Sequence, residues 1–289
     1  MKRQLLSVAV MLLITTIPLS SQGLYQSGTV IDWERGHFIR ATGFATADVS
    51  KSVNMVQAQL MAKRGAEVEA RGELARTLEG VKIAGGATTK DMAAENEKVA
   101  EAFTAFLKSV IVVSSEAFMD QGAPVGKAIV ELALNGNVGV LGRMYSSDPS
   151  ILEREPAPSF RVETVAEGSK SEGEDMAGFD GLILDARNLS VRPDFNIIVK
   201  SPQGTVAYSR NSLDTAVRIT DLTAGFCKGD ERALEILKGK GSRNPLRITP
   251  QSLENGREFI VSSDDAMKIF SLHEKSETLK KARVIVITG

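Results

Sequence analysis

Few residues in this chain have side chains and spacing suited to chemistry, and the clearest pair is Asp185 with Arg187. The pair follows GLIL, a short apolar run that predicts a buried strand. Proteins with α/β sheets often bind ligands at the carboxyl ends of such strands. Asp185 and Arg187 are therefore a candidate ligand site, and the alternative is an ion pair that holds the following loop.

Cys227 and His273 are a second candidate, because a thiol beside an imidazole can act as a nucleophile. No local sequence signature brings the two together, and a buried cysteine is ordinarily inert. Since Cys227 is the single cysteine, an intrachain disulfide and a cysteine-based metal cluster are both excluded. We predict no catalytic residue and a protein that is not an enzyme.

Two neighbouring carboxylates, Asp264 and Asp265, could ligate a hard cation, but the spacing of an EF-hand loop is absent. They are expected in the first turn of a helix, where negative charge is favourable. The glycine-rich segments lack the order of a phosphate-binding loop. The sequence therefore predicts neither a metal nor a cofactor.

The composition bounds the class of protein. The chain has 289 residues, a formal net charge of −1 and 43% hydrophobic residues, which indicates a globular protein of about two domains. Near-neutral charge gives no field for nucleic acid, and the 5% aromatic content disfavours stacking on bases. We therefore expect no nucleic-acid partner.

The amino terminus has the order of a secretory signal peptide. Lys2 and Arg3 precede an apolar run at 5–19, and small residues follow at 20–23. The run is shorter than the roughly 20 residues of a membrane helix, although a retained anchor is the alternative. We predict a signal peptide over 1–23 and an exported protein, periplasmic or associated with the outer membrane.

Residues 51–78 predict the long amphipathic helix that organises the first domain. It carries an apolar stripe and a separate ridge of alanines, where another backbone could approach closely. The stripe is Val53, Val56, Leu60, Leu74 and Leu78, and the ridge is Ala58, Ala62, Ala66 and Ala70.

A charge cluster of Arg64, Glu67 and Arg71 lies in the middle of this helix at spacings that bring side chains together. It is either a solvated face or a partly buried pair that fixes helix register. Neither alternative is catalytic.

The surrounding pattern predicts a β-α-β-α-β-β unit over 30–145, with two layers and its helices on one face of a small mixed sheet. Strands are expected within 32–47, at 81–84, 109–118 and 126–134. A second helix is expected to about Leu107, with N-cap candidates in TTKD at 88–91.

Four segments in this order resemble a bacterial envelope family: MAKRGAEVEARGELARTLEGVKI, TTKDM, VIVVSSEAFMDQG and AIVELALNG. The family is the Lpp-twenty-type surface lipoproteins, which is similar to the amino-terminal domain of flagellar assembly protein T. The matching positions are Ala62, Arg64, Ala66, Ala70, Arg71, Leu74, Gly80 and Val81. The resemblance implies no catalytic residues. This chain lacks the lipidated cysteine of the family, so we expect no lipid anchor.

Beyond the first domain, 146–178 contains three prolines and an acidic Gly/Ser-rich stretch, which predicts a linker. A second α/β domain is expected over 179–289, with a hairpin around 201–204 and a closing apolar strand at 282–288. The predicted fold class is α+β, with two small mixed α/β domains.

Two functions follow from these observations. The first is an exported, non-catalytic cell-envelope protein that works by protein–protein contact in assembling a surface or flagellar structure. Its partners would be envelope or flagellar proteins, or further copies of the chain. The alternative is a module that binds a small molecule, peptide or glycan in the carboxyl-terminal domain, near Asp185 and Arg187.

Overall fold

The computed structural model describes residues 25–34, 37–108, 110–159, 176–275 and 277–289. The predicted signal peptide and residues 160–175 of the predicted linker lie outside them. The expected α+β fold in two domains is confirmed. Among the described helices, none combines the length and the apolar character needed to cross a membrane.

The first domain is a four-stranded sheet covered by helices. Its elements are β1 (Gly28–Asp32), β2 (Phe38–Thr46), α1 (Met55–Glu79), β3 (Lys82–Ala84), β4 (Ala87–Thr88), α2 (Thr89–Glu95), α3 (Glu97–Lys108), β5 (Ile111–Asp120), β6 (Ala123–Ala133) and α4 (Val140–Ser147). The strand order is β1-β2-β6-β5, and every pairing is antiparallel. The sheet is not mixed as predicted, because β3 leaves it to form a separate hairpin with β4.

The ends of these elements follow from local hydrogen bonds. The side chain of Asn54 accepts from the Gln57 N–H, so α1 begins at Met55 and not at the predicted residue 51. Thr88, one of the N-cap candidates in TTKD, caps α2 in a reciprocal capping box with Asp91. The single helix expected to about Leu107 is divided at Asn96 into α2 and α3. Gln121 and Gly122, between β5 and β6, both have positive φ, which suits a tight hairpin turn.

The buried face of α1 is the alanine ridge. Ala58, Ala62, Ala66 and Ala70 are fully buried with Leu74 and Leu78, whereas Val56 and Leu60 remain 65% and 53% exposed. The prediction of one continuous apolar stripe is therefore wrong in its amino-terminal half.

Two glycines explain this choice of face. A Cβ atom on Gly126 would lie 2.1 Å from the carbonyl oxygen of Ala62, and one on Gly43 would lie 2.3 Å from the backbone nitrogen of Ala70. The helix lies so close to the sheet that alanine fits between the backbones and larger side chains do not.

The first part of the predicted linker forms regular structure. Asp148 caps a 3-10 helix at Pro149–Arg154 by accepting from the Ser150 N–H, and proline suits this first turn. Ile151 is buried in the core of the first domain. The core of this domain thus includes a residue beyond the predicted boundary at 145.

The second domain contains two four-stranded sheets. A 3-10 helix at Met176–Gly178 is followed by β7 (Gly181–Asp185), β8 (Ile198–Lys200), β9 (Val206–Tyr208), α5 (Thr215–Thr220), β10 (Gly225–Cys227), α6 (Asp230–Gly239), β11 (Pro245–Ile248), β12 (Ser252–Glu254), β13 (Glu258–Ile260), α7 (Ser263–Lys275) and β14 (Val284–Ile287). One sheet, β10-β14-β7-β11, is wholly parallel, and its central strands β14 and β7 are continuous apolar runs. The other has the order β12-β13-β8-β9 and contains the predicted hairpin, β8 with β9.

The two domains share an apolar interface. The Trp33 ring from the first domain packs edge-on against Phe195 and Phe226 of the second, with centroid distances of 5.3 and 6.3 Å. Phe195 and Leu222 are part of the first domain's core. The domains are therefore docked through a common hydrophobic layer.

A buried polar network crosses the same interface and centres on Glu155, which is 3% exposed. Its carboxylate accepts two hydrogen bonds from Arg257 Nη1, at 2.9 and 3.2 Å, and one from the Gly85 N–H at 2.7 Å. Asn196 Nδ2 donates to Glu155 Oε1 at 3.3 Å and also to the Ile83 carbonyl. One carboxylate thus joins the first domain, the chain that leaves it and the second domain.

We expect Gly126→Ala to lower the free energy of unfolding by about 1–3 kcal/mol, because its methyl group must push α1 away from the sheet. Urea denaturation measures the change. Gly28→Ala in β1 is the control, since a Cβ there has no neighbour within 4 Å. Equal stability of the two variants would contradict the close approach.

We expect Glu155→Ala to lower the free energy of unfolding by about 3–5 kcal/mol, because Arg257 keeps its buried charge without a counter-ion. Replacing both residues by methionine should restore most of the loss. The exposed pair of Glu277 with Lys280 is the control: Glu277→Ala should cost less than about 1 kcal/mol. Urea denaturation measures both changes. A loss of free energy of unfolding for Glu155→Ala as small as that for Glu277→Ala would refute the role of the network.

Candidate functional site

The predicted pair of Asp185 and Arg187 is in direct contact. Asp185 is the last residue of β7, and Arg187 follows it in the next turn. Arg187 donates from Nε to Oδ1 at 2.8 Å and from Nη2 to Oδ2 at 2.6 Å. This two-pronged geometry is the strongest form of an arginine–carboxylate pair.

Two further residues complete a ring of alternating charge, which we call the edge network: Asp185, Arg187, Asp230 and Arg247. Arg247 of β11 donates to Asp185 Oδ2 at 2.7 Å and also contacts Asp230. Arg187 Nη1 reaches Asp230 Oδ2 at 3.3 Å. Parallel pairing of β11 with β7 and the start of α6 after β10 bring the four residues to one sheet edge.

The electrostatics of the edge network favour its charged form. Hydrogen bonding from Arg187 lowers the pKa of Asp185 below its usual range, and the charges of Arg187 and Arg247 add to the effect. The same contacts raise the pKa of Arg187. The geometry shows the ion pair that the sequence offered as an alternative, so a ligand at Asp185 and Arg187 must displace existing bonds.

Sequence reasoning missed half of the edge network. Asp230 carries a signal, because a Gly-Asp-Glu triplet before an amphipathic segment is typical of a helix start. Arg247 carries none, since it is one exposed residue in a short strand. Its role depends on which strand lies beside β7, and this follows from the tertiary fold.

The structure does not bring Cys227 and His273 together. Cys227 ends β10, and its charged neighbours are Glu34, Arg232 and Asp230, whereas His273 lies on α7 near Asp214 and Lys280. Burial, reinforced by Glu34, raises the pKa of the Cys227 thiol to about 11. The thiol therefore stays protonated near neutral pH and is a poor nucleophile.

Asp264 and Asp265 lie in the first turn of α7, as predicted. The Asp265 N–H donates to Ser262 Oγ at 3.0 Å, and that hydroxyl donates back to Asp265 Oδ2 at 2.7 Å. This is a helix cap. In the part of the chain that the structure describes, no group of three or more His, Cys, Asp or Glu side chains could hold a metal ion.

The charge cluster on α1 is half exposed and only partly joined. Arg71 Nη1 lies 3.9 Å from Glu67 Oε2, and Arg64 is exposed. Glu67 Oε1 also accepts a hydrogen bond of 2.7 Å from Ser115 Oγ on β5. Glu67 thus ties the helix to the strand at the outer side of the sheet.

The second domain is an α/β unit whose charged residues collect at the carboxyl edge of a parallel sheet. Residues 181–289 match the model of a family described as Treponema pallidum Tp0624, second domain. The matched segment runs from β7 through β14 and includes the whole edge network. A comparison with curated proteins finds no match to this chain.

The family match does not extend into the first domain. It gives no support to the resemblance of 30–145 to the Lpp-twenty-type lipoproteins or to flagellar assembly protein T. That resemblance stays a prediction from the motifs.

We expect Asp185→Asn to lower the free energy of unfolding at pH 7, because it removes the charge that pairs with Arg187 and Arg247. The loss should be only about 1 kcal/mol, since both arginines are half exposed and solvent screens the attraction. The folded-state pKa of Asp185 is lowered, so its stabilisation is full above the unfolded pKa and is lost as the pH falls through the folded value. The difference from wild type should therefore shrink in acid.

Urea denaturation at pH 7 and pH 2.5 measures this change. Glu254→Gln, at an exposed position of β12, is the control. An Asp185→Asn deficit that is the same at both pH values would show that the charge of Asp185 does not stabilise the fold.

Proposed function

We propose that this chain is an exported, non-catalytic cell-envelope protein that works by protein–protein contact in assembling a surface or flagellar structure. The observation that carries the proposal is an exposed apolar surface on the first domain. The signal-peptide pattern at 1–23 supports export, and the motif resemblance of 30–145 supports an envelope role.

The surface begins with β5, an outer strand of ten residues. Its apolar side chains Ile111, Val113 and Met119 are 67%, 51% and 43% exposed. An outer strand presents unpaired backbone N–H and C=O groups, on which another chain can form a further strand. Of the features that commonly protect such edges, IVVSSEAFMD lacks lysine and proline but has the charge of Glu116 and a register shift between Val112 and Ser114.

The flank of α1 continues the surface. Val56 and Leu60 lie on the same helical stripe as Glu67, which is bonded to Ser115 of β5. Ala62 lies against Gly126, the partner of Ala117, so the amino-terminal half of α1 runs beside the end of β5. Ala117 and Met119 share the strand face of Ser115 and lie beside this flank.

We call this the contact surface: Val56, Leu60, Val113, Ala117 and Met119. Four of these five side chains are exposed and Ala117 is half-buried. An exposed apolar patch of this kind is typical of a protein–protein interaction site. A partner strand added to β5 would cover the backbone edge and place its own apolar side chains beside the helix.

The alternative function, a binding module with its site at Asp185 and Arg187, has weaker geometric support. The guanidinium of Arg187 already donates through Nε, Nη1 and Nη2 to Asp185 and Asp230. A ligand there would have to break bonds between well-matched charges.

The contact role is tested by photo-crosslinking in the native cell envelope. A photoreactive amino acid at position 113 should give an adduct of defined mass with an envelope protein, identified by mass spectrometry. Met119→Lys, which places a charge on the contact surface, should reduce that adduct at least fivefold.

The control places the same amino acid at position 138, where Val138 is 69% exposed, more than the 51% of Val113, but lies outside the contact surface. Equal amounts of adduct at both positions, or an amount that Met119→Lys does not reduce, would refute the proposal. The intact mass of the envelope form should also lack the predicted signal peptide.

A further inference from the structure

A cleft of about 500 Å³ separates β1 and β2 of the first domain from the second domain. Its second-domain wall includes Cys227 at the end of β10 and Thr288 just after β14, so the cleft lies at the carboxyl edge of the parallel sheet. This edge is where open α/β sheets bind ligands. The cleft uses none of the residues of the contact surface.

The walls of the cleft are largely apolar. Trp33 and Phe226 lie with ring centroids 6.3 Å apart, and Pro193 and Phe38 line the same space. Cys227 adds to this apolar lining, because its raised pKa keeps the thiol neutral. Such walls suit the flat or aliphatic body of a small molecule.

The charged groups of the cleft differ in how far they are already paired. Glu34 accepts a hydrogen bond from Arg232 Nε at 2.8 Å. Arg40 donates to Glu131 at 2.7 Å, and its guanidinium lies 4.5 Å from the centroid of the Phe38 ring. Asp32, the second acid of the cleft, accepts a hydrogen bond from the Glu34 N–H at 3.0 Å. Both acids and one of the two bases of the cleft are therefore already bonded.

Lys228 is different. It is an exposed residue of the cleft and has no ion pair or hydrogen bond to the residues that the structure describes. It directly precedes Gly229, the N-cap of α6, which has no side-chain cap. This corner of the cleft therefore carries unpaired positive charge beside apolar walls.

We propose that the cleft binds a small organic anion whose apolar body lies against Trp33 and Phe226 and whose carboxylate or sulfonate pairs with Lys228. The inference adds a ligand site to the proposed contact role and does not depend on it. The two fail separately, because crosslinking at position 113 does not report on the cleft.

Trp33 makes the proposal directly testable, since it is the only tryptophan of the chain. The probe is 8-anilinonaphthalene-1-sulfonate, titrated into the folded protein with excitation of Trp33. The matched uncharged probe is N-phenyl-1-naphthylamine, which has the same aromatic body without the sulfonate. We expect saturable energy transfer from Trp33 to the anionic probe at one site per chain, and binding of the uncharged probe at least tenfold weaker.

The variant Lys228→Gln should bind the anionic probe about tenfold more weakly than wild type and should bind the uncharged probe with the same affinity. Lys238→Gln, an exposed lysine farther along α6, is the charge-matched control and should change neither. Added 1-naphthylacetate should displace the anionic probe.

Three outcomes would overturn the proposal. They are equal affinity for the two probes, unchanged affinity in Lys228→Gln, and binding without energy transfer from Trp33. Urea midpoints of both lysine variants should match the wild type, which ensures that any loss of binding does not reflect unfolding.

Discussion

The position of the two domains depends on one buried carboxylate, that of Glu155. An ionised carboxylate without partners is very unfavourable in a protein interior, so its neighbours must all be in place together. Those neighbours come from three parts of the chain: Gly85 after β3, Asn196 before β8 and Arg257 before β13. The apolar layer around Trp33 supplies hydrophobic attraction, and the hydrogen bonds of the Glu155 network all form in this arrangement of the domains.

A second constraint shapes the first domain. Backbone contact between α1 and the sheet requires glycine on one side and alanine on the other, as at Gly126 and Ala62. With the alanine face turned inward, Val56 and Leu60 point away from the sheet. The same close packing that stabilises the domain therefore creates the apolar surface that we assign to a partner.

Much of the fold follows from local signals in the sequence. The capping box of Thr88 with Asp91, the hairpin around 201–204 and the buried runs at Gly181–Asp185 and Val284–Ile287 were all predictable. Three features were not, because each depends on residues distant in sequence. Glycines on β2 and β6 decide which face of α1 is buried. The order of the strands brings the residues of the edge network together. Glu155 lies in a proline-rich stretch that is typical of a linker, and its buried partners come from distant parts of the chain.

The strand β14 has a consequence for how the chain reaches this structure. It lies between β10 and β7 in the parallel sheet, yet it follows β7 by about a hundred residues, a separation that slows folding. During synthesis, the apolar residues of β7 and β10 that face β14 stay uncovered until β14 has been made. Until Val284–Ile287 pair with them, these uncovered strands favour association with other chains.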